Sequence, residues 1–200
     1  MQNPYSPSQA AQLKKVFKLL NRWIVFVFRA GYGPFFTRQT FAGKIMVIEN
    51  IGRKSGQIRY APVNYAVAPE SGAVYCLSGF GSQSQWYRNI QQSPQVTLWI
   101  GVQRIPGVAY LLEDSETHLD IYRQVLINSG FAAVLFEGIN PKTIPEESLC
   151  KMAQRSPLVR IELENTLETT QPRPADLAWI VISALFVWGL LRRISGRKRT

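Results

Sequence analysis

Between residues 44 and 163, short apolar runs rich in β-branched residues alternate with clusters of glycine, proline and small polar residues. These runs predict strands over Lys44–Asn50, Gln57–Ala68, Ala73–Ser78, Gln95–Gly101, Arg104–Leu112 and Leu158–Leu163. The turns between them have suitable chemistry: Gly52–Gly56 joins the first pair, Pro69–Gly72 the second, and Gly101–Gln103 the fourth and fifth strands. Helical spacing takes over at Gln85–Gln92, at Glu116–Asn128 after the capping candidates Asp114 and Ser115, and at Glu147–Arg155. Six strands with so few crossover helices do not suit a doubly wound parallel sheet. They predict a mainly β protein with some α, a mostly antiparallel barrel with its helices packed outside.

The two ends have a different pattern. Val16, Phe17, Leu20, Trp23, Ile24, Val27 and Phe28 recur at helical spacing, with Lys15, Lys18 and Arg22 on an opposing stripe. Such a basic amphipathic helix suits the barrel's flank or a membrane surface equally well. Its apolar stretch ends at Arg29 and lacks a small-residue cleavage site, so it does not read as a secretory leader. Near the C-terminus, Leu177–Leu191 contains no charged residue; it follows Pro172-Arg173-Pro174 and precedes Arg192 and Arg193. At 1.5 Å per residue the run reaches roughly 22 Å, short of a hydrocarbon core of roughly 30 Å, so it spans only if flanking residues snorkel. Trp179 and Trp188 stand where interfacial anchors would. The expected organisation is a helix region over 1–40, a barrel over 41–164, a polar linker over 165–176, a membrane-associated hydrophobic helix over 177–194 and a basic tail over 195–200. The body is expected on the cytoplasmic side of the cell membrane. The topology of the apolar helix and the oligomeric state stay open.

Charge changes the picture less than its total suggests. The chain carries 23 Lys and Arg against 13 Asp and Glu, a net charge of +10. Seven of those cations lie in residues 1–44, which hold no acid, and five more lie in the last nine residues. The remainder of the chain is therefore slightly acidic, which argues against a phosphate-tracking nucleic-acid surface and for cations beside membrane-facing segments. The two cysteines, Cys76 and Cys150, cannot form a disulfide framework and are expected reduced. His118 is the single histidine, and no zinc-ligand set or Gly-x-Ser-x-Gly elbow occurs. Nucleophilic and metal catalysis have no placed residues, and His118 reads as a solvated side chain. Paired carboxylates at Glu113-Asp114 and Glu146-Glu147 fall at helix starts, where the helix dipole favours them.

One turn carries chemistry. Gly52-Arg53-Lys54-Ser55-Gly56, followed by Arg59, could bend so that backbone N–H groups face an anion amid three cations. A strand follows it, without P-loop spacing, so nucleoside triphosphate chemistry is not indicated. Downstream come Pro62-Val63-Asn64-Tyr65, Ser78-Gly79-Phe80-Gly81, Trp86-Tyr87-Arg88-Asn89 and Pro94-Gln95-Val96-Thr97-Leu98. In this order the set, over roughly Val16–Leu163, resembles the deazaflavin (coenzyme F-420)-dependent nitroreductase and quinone reductase family. The resemblance implies a split β-barrel holding the deazaflavin coenzyme beside the first hairpin. By that analogy Arg53, Lys54, Ser55, Gly56 and Arg59 hold the phosphate and acidic tail. Ala61, Pro62 and Tyr65 line the ring pocket, Ser78 and Gly81 contact ring or tail through backbone groups, and Trp86, Tyr87 and Asn89 close one wall. The sequence departs from the family in a short Gly81–Gln85 stretch before the tryptophan and in Gly79, where a lysine is often found. The implied activity is hydride transfer from the reduced coenzyme to a quinone such as menaquinone, a nitro compound or an activated alkene, at the membrane. Tyr65, Ser78 and Tyr122 are the candidate proton donors. The alternatives are a non-catalytic cofactor- or lipid-binding barrel and a relative that uses FMN.

Overall fold

Side chains on a strand alternate between its two faces, so a run such as Ile45-Met46-Val47-Ile48 can be buried throughout only if both faces are covered. A computed structural model, which describes residues 19–38, 43–112, 118–130 and 140–164, shows how this is met. Strands β1 (Ile45–Ile51), β2 (Ile58–Val67), β3 (Val74–Leu77), β4 (Gln95–Ile100), β5 (Gln103–Leu111) and β6 (Leu158–Leu163) form a closed barrel in the order β1-β2-β3-β6-β5-β4. Every neighbouring pair is antiparallel, and β1 closes the ring against β4 through Val47 opposite Trp99 and Ile48 opposite Leu98. The expected strands are all present, with ends shifted by a residue at most of their boundaries.

One side-chain parity fills the interior: Met46 and Ile48, Tyr65, Val74 and Cys76, Leu98, Val159 and Ile161 form one buried cluster. Helix α2 (Gln85–Gln92) presses Tyr87 and Ile90 into that same cluster. The opposite parity is covered from outside. Helices α3 (Leu119–Asn128) and α4 (Glu146–Ala153) bring Tyr122, Val125 and Leu149 against Ala66, Tyr75 and Leu158. On another flank, helix α1 (residues 19–29) packs Ile24 and Phe28 against Ile45, Val47 and Trp99. Arg29 of α1 stacks over Tyr60 at 4.7 Å, Arg104 covers Trp99 at 4.0 Å, and Trp99 Nε1 donates to Glu49 Oε2 at 2.9 Å. The first of these ties α1 to the barrel wall, and the other two fix Trp99 within it.

Some expectations shift. The helix expected over Glu116–Asn128 is observed as α3 from Leu119, and its capping candidates Asp114 and Ser115 lie outside the described residues. The helix expected over Glu147–Arg155 begins at Glu146 behind Pro145 and ends at Ala153, with Glu146 and Glu147 in its first turn. The linker, the apolar segment 177–194 and the basic tail also lie outside the described residues. Among the described residues no helix is long and apolar enough to cross a membrane.

Gly107 shows how closely the strands approach: an added Cβ there would lie 2.5 Å from the Glu162 carbonyl oxygen on β6. Leu98 is fully buried at the closure of the ring. Leu98→Ala should therefore cost about 2–5 kcal/mol, read as a lowered urea midpoint with an unchanged slope.

Candidate functional site

The first hairpin turn has little freedom. Gly56 adopts φ +64°, the left-handed conformation that glycine tolerates, and an added Cβ there would meet nothing within 4 Å. The turn uses most of its own amides. Gly52 N–H donates to Gln57 O at 2.8 Å, Ser55 and Gly56 N–H both donate to Gly52 O at 3.1 and 2.8 Å, and Gln57 N–H donates to Ser55 Oγ at 3.4 Å. The expected ring of anion-facing amides is therefore not formed, because closing so short a turn consumes the donors. Cationic side chains remain. Lys54 is exposed with no partner among the described residues, and Arg59 is exposed with Nη2 3.3 Å from both Ser55 Oγ and Gln57 Oε1.

Arg53 has another task. Its backbone N–H and Nη1 donate to Asn89 Oδ1 at 3.2 and 3.1 Å. Asn89 in turn donates through Nδ2 to Asn50 Oδ1 at 2.8 Å, and both asparagines are buried. Asn50 Nδ2 lies 3.4 Å from the Arg59 carbonyl oxygen. This polar knot fastens α2 to the tip of the β1–β2 hairpin. Asn89, expected in the wall of a ring pocket, holds that wall in place. Asn50 was missed by sequence reasoning, although the signal was present: it is a polar residue at the parity that Met46 and Ile48 give to the interior.

Alternation sorts the β2 residues. Ala61, Val63 and Tyr65 share the interior parity, and Arg59 stands on the same side at the exposed start of the strand. Pro62 has the opposite parity and so belongs to the outer face. It points away from the side that Ala61 and Tyr65 share, whereas the resemblance places all three together. Ala61 and Trp86 are half-buried against the interior cluster, whereas Tyr87 is buried within it, edge-on to Trp86 at 6.2 Å between ring centroids. The structure thus joins Arg53 of the hairpin to Asn89 of α2, and packs Ala61 and Trp86 on the same interior cluster.

The turn after β3 also differs from expectation. Ser78 N–H donates to Pro157 O at 3.1 Å and Gly81 N–H to Ser78 O at 2.8 Å, so neither amide is left for a ligand. The Ser78 hydroxyl is buried, donating to Gly81 O at 2.6 Å and sharing a hydrogen bond with Ser84 Oγ at 2.7 Å. Gly81 has φ +62°, and an added Cβ would lie 2.8 Å from the Arg155 carbonyl oxygen. Its glycine is explained by packing. Of the candidate proton donors, Tyr122 sits in the outer helical cluster and Ser78 is engaged in its turn, which leaves Tyr65 on the interior side. His118 precedes α3 and is exposed, as expected.

Comparison with known proteins decides the family. Residues 22–132 match the model of the F420H2-dependent quinone reductase family. The chain belongs to that family. It is an oxidoreductase that depends on coenzyme F-420. No curated protein matches. Among solved structures it is similar to the conserved hypothetical protein Rv2991 from Mycobacterium tuberculosis, at 18% identity and TM-score 0.44, over 68% of this chain and 88% of that one. It is also similar to an F420-H2 dependent reductase, FDR-A, at 19% identity and TM-score 0.41, over 59% and 93% of the two chains. A Listeria innocua protein described as a pyridoxamine 5'-phosphate oxidase shares 15% identity at TM-score 0.42, over 73% and 94%.

Two outcomes follow from this geometry. Asn89→Ala would leave Asn50 and the Arg53 amide without their buried partner, at a cost of about 1–3 kcal/mol in denaturant unfolding. Burial raises Tyr65 from 10.0 to about 12. A raised folded-state pKa means that its contribution to stability is fully present below pH 10.0 and is lost as pH rises through about 12. Stability measured across that window should fall more steeply in the wild type than in Tyr65→Phe.

Proposed function

We propose that the F-420 coenzyme binds with its phosphate at the hairpin tip, and that the acceptor is a quinone met at a membrane surface. The observation that carries the first part is the pair of exposed cations, Lys54 and Arg59, on a hairpin that Arg53 and Asn89 fasten to α2, the helix that carries half-buried Trp86. Donor chemistry fits a phosphate on one side and an aromatic ring system on the other. Bound there, the coenzyme supplies the hydride, and the protein's work is orientation and exclusion of water. Lys54 and Arg59 would hold the anionic portion by charge-assisted hydrogen bonds. The Asn89–Arg53–Asn50 knot keeps α2, and with it Trp86, at a fixed distance from the hairpin. Tyr65, neutral over the physiological range, would hold its proton toward an acceptor oxygen.

Helix α1 supports the second part. Although Ile24 and Phe28 pack on the barrel, Leu19, Leu20 and Phe26 stay exposed, Phe26 at 67%, and Tyr32 and Phe35 continue the apolar surface beyond the helix. Arg22 and Arg29 are exposed beside them. An apolar strip flanked by cations suits an anionic lipid interface, where a lipid-soluble acceptor is concentrated. The uncharged run Leu177–Leu191 would reinforce that contact and keep the body at the cytoplasmic face.

Mixed with reduced coenzyme and menaquinone, the purified full chain should oxidise the coenzyme. Lys54→Ala should raise the Kd for the coenzyme roughly tenfold or more without altering stability. Tight coenzyme binding with no turnover on any quinone, nitro compound or activated alkene would instead indicate a binding protein. In vesicle flotation, the full chain should bind anionic vesicles better than neutral ones, and Phe26→Asp should lower the bound fraction.

A further inference from the structure

A polar cavity of 380 Å3 lies between the turn after β3 and the end of α4, and its lining includes Gly79, Ser82, Gln83, Arg155 and Ser156. No carboxylate lines it. Arg155 follows the last turn of α4, where its backbone N–H is held by the Met152 carbonyl at 2.9 Å. Its guanidinium is exposed and has no partner among the described residues. From the other side, Arg88 of α2 reaches back to donate through Nε to the Ser82 carbonyl at 3.1 Å, which brings a second cation to the same turn. Over Gly79 there is open space, with nothing within 4 Å of an added Cβ. The Arg155 guanidinium, the Ser82 and Ser156 hydroxyls and a bare glycine line a site for an extended anion, with Arg88 bonded to the turn that forms one wall. An apolar quinone head would gain little from it.

Helix α2 connects this cavity to the hairpin. Ser82 and Gln83 precede its first residue, while Asn89 in its second turn holds Arg53. Eight helical residues cover about 12 Å, which three or four units of an extended peptide-like chain span.

We propose that this cavity receives the carboxylates of the coenzyme's acidic tail, with Arg155 as the principal cation, while Lys54 and Arg59 take the phosphate. The proposal rests on the hairpin reading above and moves the tail's carboxylates off the hairpin cations, to which the resemblance assigns them together with the phosphate. A molecule bound at both sites runs along α2.

The test measures coenzyme binding to the full chain by calorimetry. It uses the tail-bearing coenzyme and the same deazaflavin truncated after its phosphate. Arg155→Ala should weaken binding of the tail-bearing form about tenfold, Arg155→Glu should weaken it further, and Arg155→Lys should retain most of it. None of the three should alter binding of the truncated form, and thermal unfolding without ligand should be unchanged because Arg155 is exposed. Equal losses for both ligands, or no loss for the tail-bearing form, would overturn the tail site while leaving the hairpin reading intact. If the wild type bound neither form, the hairpin reading would fail and the tail site with it.

Discussion

A closed six-stranded barrel leaves no free sheet edge and demands that one parity of every strand be packed inside. That constraint governs the rest of the molecule. Met46, Ile48, Leu98, Val159 and Ile161 meet it with aliphatic side chains. The exception is at the hairpin end, where Asn50 carries a polar group at an interior position. A buried amide without partners would be costly, so Asn50 is satisfied by Asn89, which is in turn engaged by Arg53. This buried polar contact is therefore also what locks α2 against the hairpin, and it sets the geometry of the candidate site.

This arrangement separates two kinds of work that a motif runs together. In Gly-Arg-Lys-Ser-Gly the glycines and the serine make the turn, and Arg53 braces it from below. Only Lys54, with Arg59 at the start of the next strand, faces outward with charge available. The same separation holds after β3, where Ser78 and Gly81 are fully engaged in closing a turn against Pro157 and α4. Residues that look like a binding signature are to a considerable extent the residues that build the wall.

The F-420-dependent family accounts for the absence of a placed nucleophile or acid–base pair, since the coenzyme brings the difficult chemistry and the protein contributes position and electrostatics. Helix α1 adds a physical reason to look for the acceptor at a lipid surface. It is apolar on two faces, and the barrel covers one of them.

The sequence by itself determined the six strands, the α2 helix to the residue, the hairpin cations and the family, because each follows from local signals: side-chain period, turn-forming residues and the order of short motifs. Neither the parity that sets Pro62 apart from Ala61 and Tyr65 nor the demand of the hairpin turn on its own amides was read from the spacing of residues. The Asn50–Asn89–Arg53 knot joins positions 39 and 36 residues apart. Burial and hydrogen-bond partnership are properties of space, and only closure of the barrel decided which polar groups were used up inside and which remained to meet a ligand.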